Sequence, residues 1–250
     1  MMTTNATPMQ HPAASEPHVD LSRRQMRNAQ ATARYDPYLV IHKGLRALMT
    51  DTLQRVGRMD PDDDEDTAQA LAQLREFVTL AKTHLHHEDL HVHPAMEARA
   101  PGSTRSVEAD HLSHREAMAG ILDGCDAVER STGDARAAAA LALYRRLALF
   151  VADDLVHMHA EETENNAVLW ATYSDDELHA MVERLVASIP PATNAIFARW
   201  MVASSSPAER ATLLRGVRQT MPAAAFGAML GGLAQRLAPR DRVKLEAALA

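Results

Sequence analysis

A single cysteine, Cys125, occurs in 250 residues. No disulfide can close within the chain, and one isolated thiol fits a reducing compartment, so a cytoplasmic location is expected. No apolar run approaches the ~18 residues that mark a membrane span. The first 20 residues lack the basic-then-apolar order of a secretion signal. Basic charge is also short: 26 Lys and Arg stand against 33 Asp and Glu, a formal net charge of −7 with His neutral. Phosphate recognition needs a basic face and none stands out, which argues against nucleic acid as a partner. Strand signals are scarce, with few alternating runs and no Asn-Gly turn.

What is present is helical periodicity and histidine. Residues 1–20 mix Ala, Thr, Pro and polar residues without a period and read as a disordered tail. Asp36-Pro37 is a helix start, a capping acid followed by a proline that needs no amide partner. Tyr38, His42, Leu45, Met49, Leu53 and Val56 then recur at steps of three and four, and Gly57 closes the run. The acidic stretch "RMDPDDDED", 58–66, lacks the glycine and closing glutamate of a calcium loop and reads as a linker into the next helix. A second helix places Leu71, Leu74, Phe77, Val78, Ala81, His84 and Glu88 on one side and is expected to end or kink near Pro94. A third, about 107–128, carries Val107, His111 or Asp110, His114, Met118, Ile121 and Cys125. A fourth, from about Ala135, carries Leu143, Leu147, Phe150, Asp154, His157 and Glu161. Four long helices with short loops predict an all-α, up-down-up-down four-helix bundle over 21–172. From 173 to 250 the texture changes to shorter helices, opened by capping boxes at Ser174 and Ser206 and punctuated by prolines. This appendage is expected to pack on the bundle or to mediate self-association into a homo-oligomer.

Ten of the thirteen histidines lie between His42 and His159. The densest stretch is "HLHHEDLHVHP", 84–94, and it admits two metal readings. His87-Glu88-Asp89-Leu90-His91 matches the zinc-protease pattern H-E-x-x-H. His84 and Glu88 form an H-x-x-x-E pair, whose members stack on one helix face. An internal repeat decides between them. His84 and His157 are 73 residues apart, and so are Glu88 and Glu161, and Asp89 and Glu162. The protease reading predicts no second copy, and Pro94 follows His91 too closely for a continuing helix. Both H-x-x-x-E pairs fall on stripes otherwise made of Leu, Phe and Val. Burying such groups is costly unless a cation pairs with them.

Four segments, "IHKGLR" (41–46), "HLHHEDLHVHP" (84–94), "DHLSHREAM" (110–118) and "HMHAEE" (157–162), together resemble the hemerythrin-like (HHE cation-binding) domain. The resemblance covers about residues 35–170. It implies a non-haem di-iron centre inside the bundle: two iron ions (Fe2+/Fe3+) with a bridging oxo or hydroxo group. His42, His84 and His157 would be nitrogen ligands, and Glu88 and Glu161 bridging carboxylates. On the third helix His114 shares the apolar stripe and is preferred, with His111 second. Imidazole and carboxylate donors also suit zinc or manganese. The implied role is binding or sensing of dioxygen or a related small oxidant, peroxide or nitric oxide, rather than an enzyme's turnover. Peroxide decomposition, ferrous oxidation and nitric oxide reduction are the enzymatic alternatives, and a metal-binding interaction module is the third. His86, His93 and His159 fall off the seam and are expected in solvent. Asp154, one turn before His157, is a candidate to orient an imidazole.

Overall fold

The computed structural model describes residues 34–234 and 237–250; the tail read at 1–20 lies outside them. Among the described residues there is no strand, and no helix is long and apolar enough to cross a membrane.

Helix α1 (Leu39–Gly57) begins where Asp36 accepts hydrogen bonds from the amides of Tyr38 and Leu39, at 2.9 and 3.1 Å. Helix α2 (Asp64–His87) is capped by Asp63, which accepts from the amides of Glu65 and Asp66. The acidic linker is therefore helix-capping chemistry: its carboxylates meet amide donors that the helix leaves orphaned. Helices α3 (Arg105–Arg130) and α4 (Gly133–Ala160) complete the bundle. Each helix touches the next and α4 returns to α1, so the four close into a ring. Phe77, Leu48, Leu74, Met118, Ile121 and Leu147 fill its core, all fully buried.

The second helix does not end at Pro94. α2 widens into a π-helical turn, Glu88–Val92, and resumes as an α-helix over His93–Arg99. α4 does the same, with a π turn at Glu161–Asn165 followed by Asn166–Thr172. Pro94 falls just after the first wide turn, where loss of one amide donor is tolerated. Both π turns start at the glutamate of an H-x-x-x-E pair. One extra residue in the turn rotates everything after it by about 100° about the helix axis. That rotation buries His93, which the α-helical period puts in solvent; His86 is exposed as expected and His159 is half-buried.

The appendage comprises α5 (Asp175–Ser188), α6 (Pro191–Ser204), α7 (Pro207–Thr220), α8 (Ala223–Ala234) and α9 (Pro239–Leu249). Both capping boxes form, Ser174 with Glu177 and Ser206 with Glu209. α6 lies against α1 so closely that a Cβ on Gly44 would come within 3.1 Å of the Met201 backbone nitrogen. Phe197 of α6 joins the bundle core. Lys43 pairs with Glu209, and Arg199 with Glu76. Helices α7 to α9 close a smaller core of their own around Leu214, Phe226, Leu233 and Leu245.

Candidate metal centre

Six side chains converge where the two π turns face each other. Three come from α1, α2 and α3: His42, His84 and His111. His157 lies on α4, and Glu88 and Glu161 open the wide turns. Their ring nitrogens point inward as Nε2. His42 Nε2 is 3.2 Å from His84 Nε2 and 3.4 Å from Glu161 Oε2. His84 Nε2 is 3.2 Å from Glu88 Oε1, and His157 Nε2 is 3.5 Å from Glu161 Oε1. His111 Nε2 lies 3.6 Å from Glu88 Oε2 and 3.8 Å from Glu161 Oε1.

Ligand atoms about 2.0–2.2 Å from a shared cation stand at such mutual distances. The atoms sort into two overlapping groups. His42, His84, Glu88 and Glu161 form one; Glu88, His111, His157 and Glu161 form the other; within each the donor atoms lie within 4.8 Å of one another. Both glutamates belong to both groups.

Burial tests whether a cation fits. Both oxygens of Glu88, both of Glu161, and Nε2 of His111 and His157 are buried without a hydrogen-bond partner. Buried polar atoms in folded proteins nearly always have one, so this many orphans in one place call for another species between them. The electrostatics say the same. Burial, and then the Glu161 charge, push the Glu88 carboxyl well above its usual range. Glu161 is held well below its usual range, because His157, His111 and His42 outweigh the opposing effect of burial. Two carboxylates sharing one dry site cannot both ionise comfortably, and binding a cation must displace protons.

The opposite ring nitrogens are held by outer carboxylates. His42 Nδ1 meets Glu162 Oε1 at 3.1 Å, and His111 Nδ1 meets Asp89 Oδ1 at 2.7 Å. A carboxylate on Nδ1 places the proton there and leaves Nε2 as the donor facing inward. Each carboxylate is clamped by an arginine one turn after the histidine it orients. Arg46 donates to both oxygens of Glu162, at 2.5 and 3.0 Å, and Arg115 donates to Asp89. Burial raises Glu162, but His42 and Arg46 prevail and bring it to about 2. His157 Nδ1 faces Asp110 at 3.5 Å.

His114 stands apart from both groups. Its Nε2 faces Asp153 at 3.1 Å and its Nδ1 faces Asp154 at 3.5 Å. Asp154 thus attends His114, and burial pushes its carboxyl up to about 6. An acid whose folded-state pKa exceeds its unfolded one stabilises the fold below the unfolded value. That benefit is lost as pH rises from 3.8 to about 6. We expect Asp154→Asn to flatten the pH profile of the metal-chelated protein. The difference in unfolding free energy between pH 4 and pH 7 should shrink by roughly 3 kcal/mol at most. Urea titrations at the two pH values read this.

The sequence reading gave Arg46 and Arg115 no role, although the signal is there. His42-x-x-x-Arg46 and His111-x-x-x-Arg115 share one spacing, whereas His114 has no arginine four residues on. Tyr38 lies one turn before His42. Its ring lies 5.0 Å from the His42 ring and its buried hydroxyl accepts from Asn165 Nδ2 at 3.3 Å.

The family model described as Hemerythrin HHE cation binding domain matches residues 36–169, more than half of the chain. The chain belongs to this family. No curated protein and no solved structure matches it. The HHE match starts at the acid that caps α1 and ends beyond the second π turn, so it contains all six converging residues and both arginine clamps. Membership implies metal cation binding, and the two His/Glu groups can hold metal.

Proposed function

We propose that this HHE protein holds two iron ions and uses them to bind or sense dioxygen or a related small oxidant, peroxide or nitric oxide. The observation that supports it is the sharing of Glu88 and Glu161 by two groups, each completed by two histidines. One carboxylate pair serving two cations requires two adjacent positions. His42 and His84 bind one cation, and His111 and His157 the other, so His111 takes the third-helix place for which the sequence favoured His114. Two iron ions held there would supply electrons to, and open coordination positions for, a small oxidant.

The chain's own part is to bind, orient and shield. Glu162 and Asp89 fix two imidazole orientations through Nδ1. Leu85, Val92 and Met158, neighbours in sequence of the site residues, are buried in the apolar clusters of the fold. Burial first, then Glu161 and Glu88, push the Tyr38 phenol well above its usual range, so it stays protonated at neutral pH. Four imidazoles and two carboxylates leave two dications with a net positive charge, which favours an electron-rich small ligand.

Loading with ferrous iron followed by exposure to air tests the proposal. The expected result is about two iron per chain, as the paired donor set requires. A charge-transfer band of a coupled ferric pair, shifted by azide, should accompany it. Iron clearly below that ratio with no such band overturns the di-iron reading. Faster turnover of peroxide or nitric oxide than reversible binding would assign the same site to an enzyme.

A further inference from the structure

The outward face of α4 is apolar over five turns. Ala138, Leu141, Ala142, Leu149, Ala152 and Val156 recur at steps of three and four, and all are exposed. Leu149 is 75% exposed and Val156 53%. Only Arg145 interrupts the stripe, which runs about 27 Å at 1.5 Å per residue. By contrast α2 presents Glu65, Gln69, Lys82 and His86 to solvent. The other faces of α4 are spent on α1 and α3, and α6 covers α1 rather than α4. An exposed apolar patch of this length marks a contact surface.

We propose that the partner is a second copy of this chain, with the two α4 helices packed antiparallel about a two-fold axis through Leu149. A two-fold there sets residues equally far before and after Leu149 against each other. Ala142 then meets the partner's Val156, and Ala138 the partner's Ala160. The alternating three-and-four spacing of 138, 142, 145, 149, 152 and 156 is that of a helix–helix seam, and its alanines allow close approach. Charge selects the orientation. Arg145 has no ion pair among the described residues. Asp153 is 66% exposed and engages only His114. The antiparallel register places Arg145 four residues before the axis, opposite the partner's Asp153 four residues after it, twice per dimer. A parallel pairing would stack Arg145 on Arg145 and Asp153 on Asp153. The stripe is thus complementary to itself in one orientation, as a symmetric dimer needs.

Sedimentation velocity of the full, metal-loaded chain across micromolar concentrations tests this. The expected result is a concentration-dependent dimer. Leu149→Arg should weaken it by about tenfold or more, as loss of a central anchor does. Far-ultraviolet circular dichroism and metal content should stay at wild-type levels, since Leu149 is 75% exposed. Arg145→Asp should weaken the dimer, and Arg145→Asp with Asp153→Arg should restore it. The native Cys125 is buried, so an introduced cysteine is the one accessible thiol. A mixture of Ala142→Cys and Val156→Cys chains should cross-link under mild oxidation, whereas Ala142→Cys alone should not. A monomer at every concentration overturns the proposal. A dimer indifferent to Leu149→Arg overturns it as well, and would place self-association on another face such as the C-terminal helices. Neither outcome touches the metal proposal, whose readout is iron content.

Discussion

Glu161→Ala is expected to leave less than one iron per chain under loading conditions that give the unaltered protein about two. Glu161 belongs to both donor groups, so its loss takes an oxygen from each position at once. A substitution at one histidine removes a donor from one group alone. Glu88→Gln should be informative in a different way. In the metal-chelated chain Glu88 is destabilised by burial and by Glu161. Replacing it with a neutral isostere should therefore hold or raise the melting temperature without metal while removing most of the rise that metal causes. At a free metal concentration a hundred times the dissociation constant, that rise corresponds to about 2.7 kcal/mol. An ordinary core substitution lowers both values together. Metal analysis with paired melting curves distinguishes the cases, and Asp123→Ala, an exposed acid on α3, is the control. Full iron retention by Glu161→Ala would remove the basis for a shared-carboxylate centre.

The second large effect concerns the carboxylates that hold two imidazoles through Nδ1. Asp89→Asn and Glu162→Gln should each reduce affinity at one position by roughly 10–100-fold, the usual cost of losing an outer-shell carboxylate. The affected positions differ. Asp89 orients His111, so its substitution weakens the position built on His111 and His157. Glu162 orients His42, so its substitution weakens the position built on His42 and His84. Each variant is expected to titrate with one tight and one weak iron, and the double variant with two weak ones. Anomalous diffraction at the iron edge would show which position has thinned. Equal weakening of both positions by either variant would mean that these carboxylates act on the bundle as a whole rather than through one imidazole.

The centre is built twice over. H-x-x-x-E with a following acid occurs in α2 and α4, and H-x-x-x-R in α1 and α3. The acid after each glutamate reaches across to the histidine and arginine of another helix. This explains why two adjacent acids are needed in each copy: the first turns inward as a donor and the second turns sideways as a clamp. Neighbouring residues on a helix point about 100° apart, which separates their directions.

Much of this was legible in one dimension. A 3.6-residue period is a property of local sequence, so four amphipathic runs with short loops imply an all-α bundle, and Asp36, Ser174 and Ser206 announce their own helix starts. The 73-residue repeat pairs His84 and Glu88 with His157 and Glu161 because residues four apart share a helix face in any fold. Other features depended on neighbours that periodicity does not encode. His111 and His114 both lie on the inward side of α3 and are both buried. What separates them is which carboxylates face them, Asp89 in the π turn after α2 or Asp153 and Asp154 on α4. The burial of His93 followed from one extra residue in a helical turn, which changes the phase of all that follows. The close seat of α6 on Gly44 required two helices to meet at a position where one has no side chain. Local sequence thus determined which residues can share a face. Only tertiary structure decided which faces meet, because contact energies arise between segments far apart in the chain.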